Sequence, residues 1–265
     1  MKKLAVFLLI SLSVWAVAVE MEIFSIGEWG FLNNPAKLYF TDKKGVMGSY
    51  KVFSGDGKSL GTFSVGLFQS PEAKIAGVLY LQRSGTETSL YKTTLGYSIA
   101  MEPEKHVKVG VGASLVQSSS STELTLSGGL YGNLMKDFGY SLYVRDFRIW
   151  SSRGEYLGGE YVAELFYESG KGNKVLWSLS FDQEILETGF QFVIGQRQRA
   201  GIGAFFLNNL ENGKKAFKLA LGFYGNVENV AVGFDTYILT ESVSSNRFNK
   251  NYYKSGTGVS FSVRW

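Results

Sequence analysis

The last nine residues, Thr257 to Trp265, alternate without a break between two kinds of side chain. Val259, Phe261, Val263 and Trp265 fall on one side; Gly258, Ser260, Ser262 and Arg264 fall on the other. A side-chain period of two belongs to a β-strand with one apolar and one polar face. The pattern recurs upstream. Phe217, Leu219, Leu221 and Phe223 alternate with Lys218, Ala220 and Gly222, and Val107, Val109, Val111, Ala113 and Leu115 alternate with Lys108, Gly110, Gly112 and Ser114. About fourteen such segments can be read, near 46–53, 60–68, 75–83, 88–99, 106–118, 124–135, 138–150, 160–169, 174–182, 185–195, 199–208, 215–225, 228–240 and 256–265. Barrel-strand signals are individually weak, so twelve is also compatible. Most segments reach the roughly 9–11 residues that a tilted membrane strand needs, whereas soluble strands average about 5–6.

Alternation alone does not separate a membrane barrel from a soluble sandwich, which buries its apolar face and wets the other. The start of the chain does more. Lys2 and Lys3 precede the apolar run Leu4 to Val17, and Ala16-Val17-Ala18 places small residues at cleavage spacing. This is the pattern of a secretory signal peptide over residues 1–18, cut after Ala18. No later segment is an uninterrupted apolar run of membrane-helix length, so a membrane-embedded mature chain has to be a closed barrel. Connection lengths add a second constraint. Lys136-Asp137, 196–198 and Asn226-Val227 are short, while 118–123, 151–159 and 241–255 are longer. The short side is the side of both termini, as on the periplasmic side of a bacterial barrel. Gln183-Glu184 breaks this alternation by being short on the outer side.

Composition closes off several classes. With 45% hydrophobic and 19% charged residues, the chain is too apolar for disorder and too polar for a bundle of membrane helices. The 20 Phe, 15 Tyr and 32 Gly against 3 Pro favour strands and tight turns. The absence of cysteine excludes disulfides, thiolate metal sites, a cysteine nucleophile and a lipidated cysteine anchor. The net charge of +4 is spread along the chain and forms no basic stripe, which argues against a nucleic-acid partner.

Two short motifs resemble known families. Val259-x-Phe261-x-Val263-x-Trp265 resembles the C-terminal signal of outer-membrane barrels, an apolar alternation ending in an aromatic residue, usually Phe. The resemblance implies recognition by the barrel assembly machinery, with Trp265 as a departure. An exposed edge of defined apolar pattern can pair with another strand before closure. Asn33-Asn34-Pro35-Ala36-Lys37-Leu38 resembles the N-terminal motif of FadL-type and PorV-type barrels. There a glycine-containing segment leads to Asn-Pro-Ala and packs in or against a fourteen-stranded barrel. The glycines before Asn33 match poorly, and this chain lacks the long external loops that form the ligand groove of a fatty-acid transporter. Asn-Pro also commonly starts a turn, and that alternative stays open. The resemblance implies transport of a hydrophobic compound; the alternation does not.

Chemistry-bearing residues are few. His106, the only histidine, starts a strand beside the turn 101–105, on the periplasmic side by loop parity. Barrel enzymes acting on outer-leaflet lipids resemble each other in placing a histidine-assisted nucleophile near the outer rim, so no catalytic residue is assigned. Glu164 and Glu168 share one strand face, and Asp182 and Asp235 lie on others. Lys92, Lys108, Arg145, Lys218 and Arg264 are candidate lumen-lining partners. A charge in a lumen must be paired or solvated, which favours a structural network over acid–base work. Gly110-x-Gly112 and Gly128-Gly129 have no phosphate-loop context and are expected to bend strands or make room inside the barrel. No metal-binding spacing is visible. External segments 118–121 and 246–254 are polar, the second carrying Arg247, Phe248, Tyr252, Tyr253 and Lys254, suited to lipid phosphates or an external ligand.

The expected protein is therefore all-β, a transmembrane antiparallel up-and-down barrel over residues 46–265. Residues 19–45 are expected to enter the lumen or cap its periplasmic end, with Asn33, Asn34 and Pro35 as plug residues. The expected place is the outer membrane, in contact with its lipid. The expected role is to pass or bind a small compound, hydrophobic or polar, without cofactor or enzymatic activity. The alternatives are an anchoring barrel without transport, a lipid-modifying enzyme and a soluble periplasmic β protein.

Overall fold

A computed structural model describes residues 32–265 except 42, 57, 71–73, 86–90, 155–157, 171, 183, 196–197 and 246–249. The expected signal peptide over residues 1–18 and residues 19–31 lie outside the described residues. The strands are β1 (Gly45–Gly55), β2 (Lys58–Gln69), β3 (Ile75–Gly85), β4 (Tyr91–Glu104), β5 (Val107–Ser118), β6 (Thr122–Asn133), β7 (Phe138–Ser151), β8 (Gly158–Glu168), β9 (Lys174–Phe181), β10 (Ile185–Ile194), β11 (Gln198–Asn209), β12 (Lys215–Val227), β13 (Val230–Leu239), β14 (Val243–Ser245), β15 (Lys250–Tyr252) and β16 (Ser255–Arg264). All but β14 and β15 pair antiparallel with their neighbours in chain order, and β16 returns to pair with β1. The result is a closed fourteen-stranded barrel, which leaves no sheet edge. The closing seam runs from Gly45 opposite Arg264 to Ser54 opposite Ser255.

Which face looks outward decides the solvent. On β12, Phe217 is 44% exposed while its neighbour Lys218 is 3% exposed. Leu219, Leu221 and Phe223 are exposed alongside Phe217, and Ala216 and Ala220 are buried with Lys218. The same holds on β16, where Phe261 and Val263 face out and Ser260, Ser262 and Arg264 face in. A soluble sandwich would bury the set that this fold exposes. An apolar exterior around a polar interior is the arrangement of a barrel whose solvent is lipid. The barrel strands run from 8 residues in β9 to 14 in β4 and β7, enough for a tilted crossing.

Several boundaries shift from the expected ones. β4 continues to Glu104, so the next turn is Lys105-His106, and the β12–β13 turn falls at Glu228-Asn229. His106 and Glu228 adopt φ of 75° and 55°, the left-handed backbone that two-residue hairpins require. The contrast between short and long connections is smaller than expected. The turn after β1 is as tight as those after β4 and β12, and only the connection from β13 to β16 is long. That connection carries the small β14–β15 hairpin.

β7 departs from strict alternation. Asp146 has φ 49°, and the register slips against β8 between Arg145 and Arg148 and against β6 between Leu126 and Gly128. A bulge of this kind re-aims side chains. Arg145 and Arg148, three residues apart, are both buried inside the barrel.

Candidate functional site

The segment before β1 packs inside the barrel against β3, β4, β5 and β6. Its 3-10 turn, Pro35–Phe40, starts at Asn34, with proline in the first position where its missing N–H costs nothing. Asn34 is completely buried. Its Oδ1 accepts the Ala36 N–H at 2.9 Å, and its Nδ2 donates to the Leu130 carbonyl and to Ser141 Oγ, both at 3.0 Å. The wall makes room for this turn with two glycines directly opposite each other, Gly110 on β5 and Gly129 on β6. A Cβ on Gly110 would lie 2.3 Å from the Ala36 nitrogen, and one on Gly129 would lie 2.0 Å from Asn34 Oδ1. Only glycine admits so close a backbone approach.

Charge and apolar contact complete the seat. Asn33 Oδ1 accepts from Arg145 at 3.1 Å, and Lys37 Nζ donates to Glu164 Oε2 at 2.9 Å. Leu38 enters an apolar cluster of Met47, Phe68, Ala76, Val78 and Ala100. At the same end, Lys108 lies over the Phe40 ring at 5.2 Å and Lys174 over the Phe166 ring at 3.8 Å, distances at which cation–π attraction operates.

The nine residues named from sequence as lumenal fall as follows. Arg145 makes a double donation to Glu160 Oε2 at 2.8 and 2.6 Å besides its bond to Asn33. Glu164 meets Lys37, and Glu168 meets Lys174 at 3.7 Å. Lys218 meets Glu187 at 2.5 Å, and Lys108 meets Glu102 at 2.9 Å. Arg264 donates to Asn226. Asp235 and Lys51 are buried and share a lumenal row across Gly258. Asp182 works locally: its Oδ1 accepts the Glu184 and Ile185 N–H groups of the β9–β10 turn. Lys92 lies on the lumenal side of β4 by parity but at its open end, exposed. The partners Lys37, Lys51, Glu102, Glu160, Lys174 and Glu187 were missed, as was the Arg148–Glu123 pair at 2.9 Å. Their strand parity was the available signal for all but Lys37 and Arg148.

The end of the barrel away from both termini carries a second cluster. Phe53, Phe205, Leu207, Tyr237 and Leu239 converge inside the barrel with Ile185, and Val243 of β14 is buried among them at 1% exposure. Tyr253, just after β15, sets its ring 5.8 Å from that of Phe53. Asn209 Nδ2 donates to the Ser244 carbonyl at 2.9 Å, and Lys254 meets Asp56 of the β1–β2 turn at 3.2 Å. Hydrogen bonds from Ser242 and then Lys254 hold the Asp56 carboxyl below its ordinary value. Tips 246–249, with Arg247 and Phe248, lie outside the described residues. His106 is in the opposite turn, where its backbone N–H donates to Glu102 at 3.1 Å.

No protein-family profile matches the chain, and no curated protein matches it in sequence. Solved structures do match in shape. A CymD monoaromatic hydrocarbon channel superposes with a TM-score of 0.59 at 10% identity, over 92% of this chain and 94% of that one. A Pseudomonas aeruginosa FadL homologue gives 0.55 at 9% identity, over 94% and 98%. A bacterial polysaccharide outer membrane secretin gives 0.51 at 7% identity, over 84% and 99%. At such identities the likeness is one of fold, and the fold it identifies is that of the outer-membrane β-barrels.

Proposed function

We propose that this chain is an outer-membrane channel for a small compound, held shut at rest by its own N-terminal segment. One observation supports the reading: the segment packs inside the barrel against β3 to β6 through contacts that can be exchanged for water, and the wall behind it is shaped in glycine to receive it. Lys37–Glu164, Asn33–Arg145 and the two bonds that Asn34 Nδ2 donates to the wall are all polar and non-covalent. The similar folds, a hydrocarbon channel and a FadL homologue, agree with passage of a hydrophobic compound. The barrel would reach its membrane through the export signal over residues 1–18 and the assembly machinery, with Val259, Phe261, Val263 and Trp265 as the recognised strand. The test is removal of Val19 to Lys37 and single-channel recording in a planar bilayer. Larger or more frequent openings support the plug, and an unchanged record refutes it.

A second reading has its own observation. The described lumenal charges are largely matched in pairs, as in Arg145–Glu160 and Lys218–Glu187, which suits a filled barrel that anchors the envelope. That reading predicts silence in the truncated protein as well as in the full chain.

A further inference from the structure

We propose that the outer half of the lumen is a binding site for a small uncharged aromatic compound, and that Val243 occupies this site in the resting protein. The proposal rests on the channel reading above and names its outer ligand site. A water-filled pore has a polar lumen. Here the lumenal side chains at the outer ends of β1, β11 and β13 are Phe53, Phe205, Leu207, Tyr237 and Leu239, and they converge on one cluster. Apolar side chains facing a lumen need an apolar occupant, and the occupant is Val243, brought in from the external connection.

The occupant is weakly held. Among the described residues the β14–β15 hairpin has three residue pairs and one side-chain bond to the wall, from Asn209 to the Ser244 carbonyl, and a two-stranded hairpin alone is marginal in water. Its tie to the β1–β2 turn, Lys254–Asp56, is exposed on both sides, and pairs of that kind contribute little. The aromatic contact of Tyr253 on Phe53 at 5.8 Å is one that an aromatic ligand can replace. A compound that offers more apolar surface than one isopropyl group therefore competes for the pocket.

The floor fixes the charge of that compound. Lys218 lies between Phe205 and Leu239 in the register, with its Nζ 4.6 Å from the Phe205 ring centre, and Glu187 neutralises it. Lys51 and Asp235 share a row two lumenal positions further in, beyond the Tyr237–Phe53 row. With the cations matched in this way, an ionic head group would have to break a buried pair. The rim adds buried Asp182 and Glu184, which disfavour an anion further.

The test is isothermal titration of the detergent-purified full chain with naphthalene, and with benzoate as the charged comparator. Val243→Gly is expected to bind naphthalene about tenfold more tightly than the parent, and Val243→Trp at least tenfold more weakly. Benzoate is expected to bind at least tenfold more weakly than naphthalene to every form. Heat-modifiable gel migration checks that each variant is folded, and Val243→Ala, expected to fall between parent and Gly, replaces any that is not. Unchanged naphthalene affinity in Val243→Gly or its Ala substitute overturns the proposal, as does benzoate binding as tightly as naphthalene. Failure of the channel reading shows elsewhere: conductance stays flat on removal of Val19 to Lys37 while the affinity shift persists.

Discussion

Lys37→Met isolates the ion pair that seats the N-terminal segment. The substitution keeps the length and apolar stem of the side chain and removes the ammonium group that meets Glu164 at 2.9 Å. Both partners are almost fully buried, with side-chain exposures of 8% and 5%. Removing one member of a buried pair costs about 3–5 kcal/mol, because the other charge is left without compensation. The lower bound applies here, since Tyr143 still donates to Glu164 at 3.5 Å and Lys174 is still near. The penalty falls on the seated state alone, because departure of the segment lets water reach Glu164. About 3 kcal/mol shifts the balance between seated and released segment by on the order of 10²-fold. Single-channel recording should show openings more frequent by that factor in Lys37→Met. The double variant Lys37→Met with Glu164→Gln removes both charges and should return most of the way to the parent. If Lys37→Met is as silent as the parent while folding normally, the ion pair does not hold the stopper and the reasoning is wrong.

Other outcomes follow from the same geometry. Gly129→Val places its Cβ on Asn34 Oδ1 and should open the channel without lowering barrel stability in proportion, as read by conductance beside urea unfolding in lipid vesicles. Leu221→Arg lies mid-strand on the exposed face and should destabilise the barrel by about 2–4 kcal/mol in vesicles, whereas a water-facing site would show almost no change. Trp265→Ser removes the exposed aromatic end of the seam and should slow the appearance of heat-modifiable barrel in an assembly assay, with no change expected if the strand carries no signal. Asp56 has a depressed folded-state pKa, so its tie to Ser242 and Lys254 is intact at neutral pH and is lost as pH falls through that depressed value. Naphthalene uptake should accordingly be flat from neutral pH through the ordinary carboxylate range and rise only slightly below it, and Asp56→Asn should show that small rise already at pH 7.

Strand identity was legible because lipid on one side and packed side chains on the other impose a period of two on every crossing. Strand ends were less so, for a physical reason. β4 runs past its last apolar pair through Glu102 and Glu104, and Glu102 is held by Lys108 of the next strand, a contact with no periodic signature. Arg148 was hidden differently. Counting by two from Arg145 sends it outward, and only the bulge at Asp146 turns it in. The Asn-Pro-Ala segment could be singled out by its motif, and the glycines across the lumen by their positions. That Gly110 and Gly129 lie opposite each other and receive Asn34 depends on strand register, which alternation does not fix. The outer pocket was invisible because Val243 sits outside any run long enough to show a period.

The polar anchors of the N-terminal segment have one more property, which concerns time. Asn34 bonds to groups 96 and 107 residues further along the chain, Asn33 to one 112 residues on, and Lys37 to one 127 residues on. The segment leaves the ribosome before any strand and cannot find its seat until β6, β7 and β8 stand side by side. Contacts of such long sequence separation form late. Seating of the segment therefore comes after the pairing of β6, β7 and β8, and a change that slows that pairing delays the seat as well.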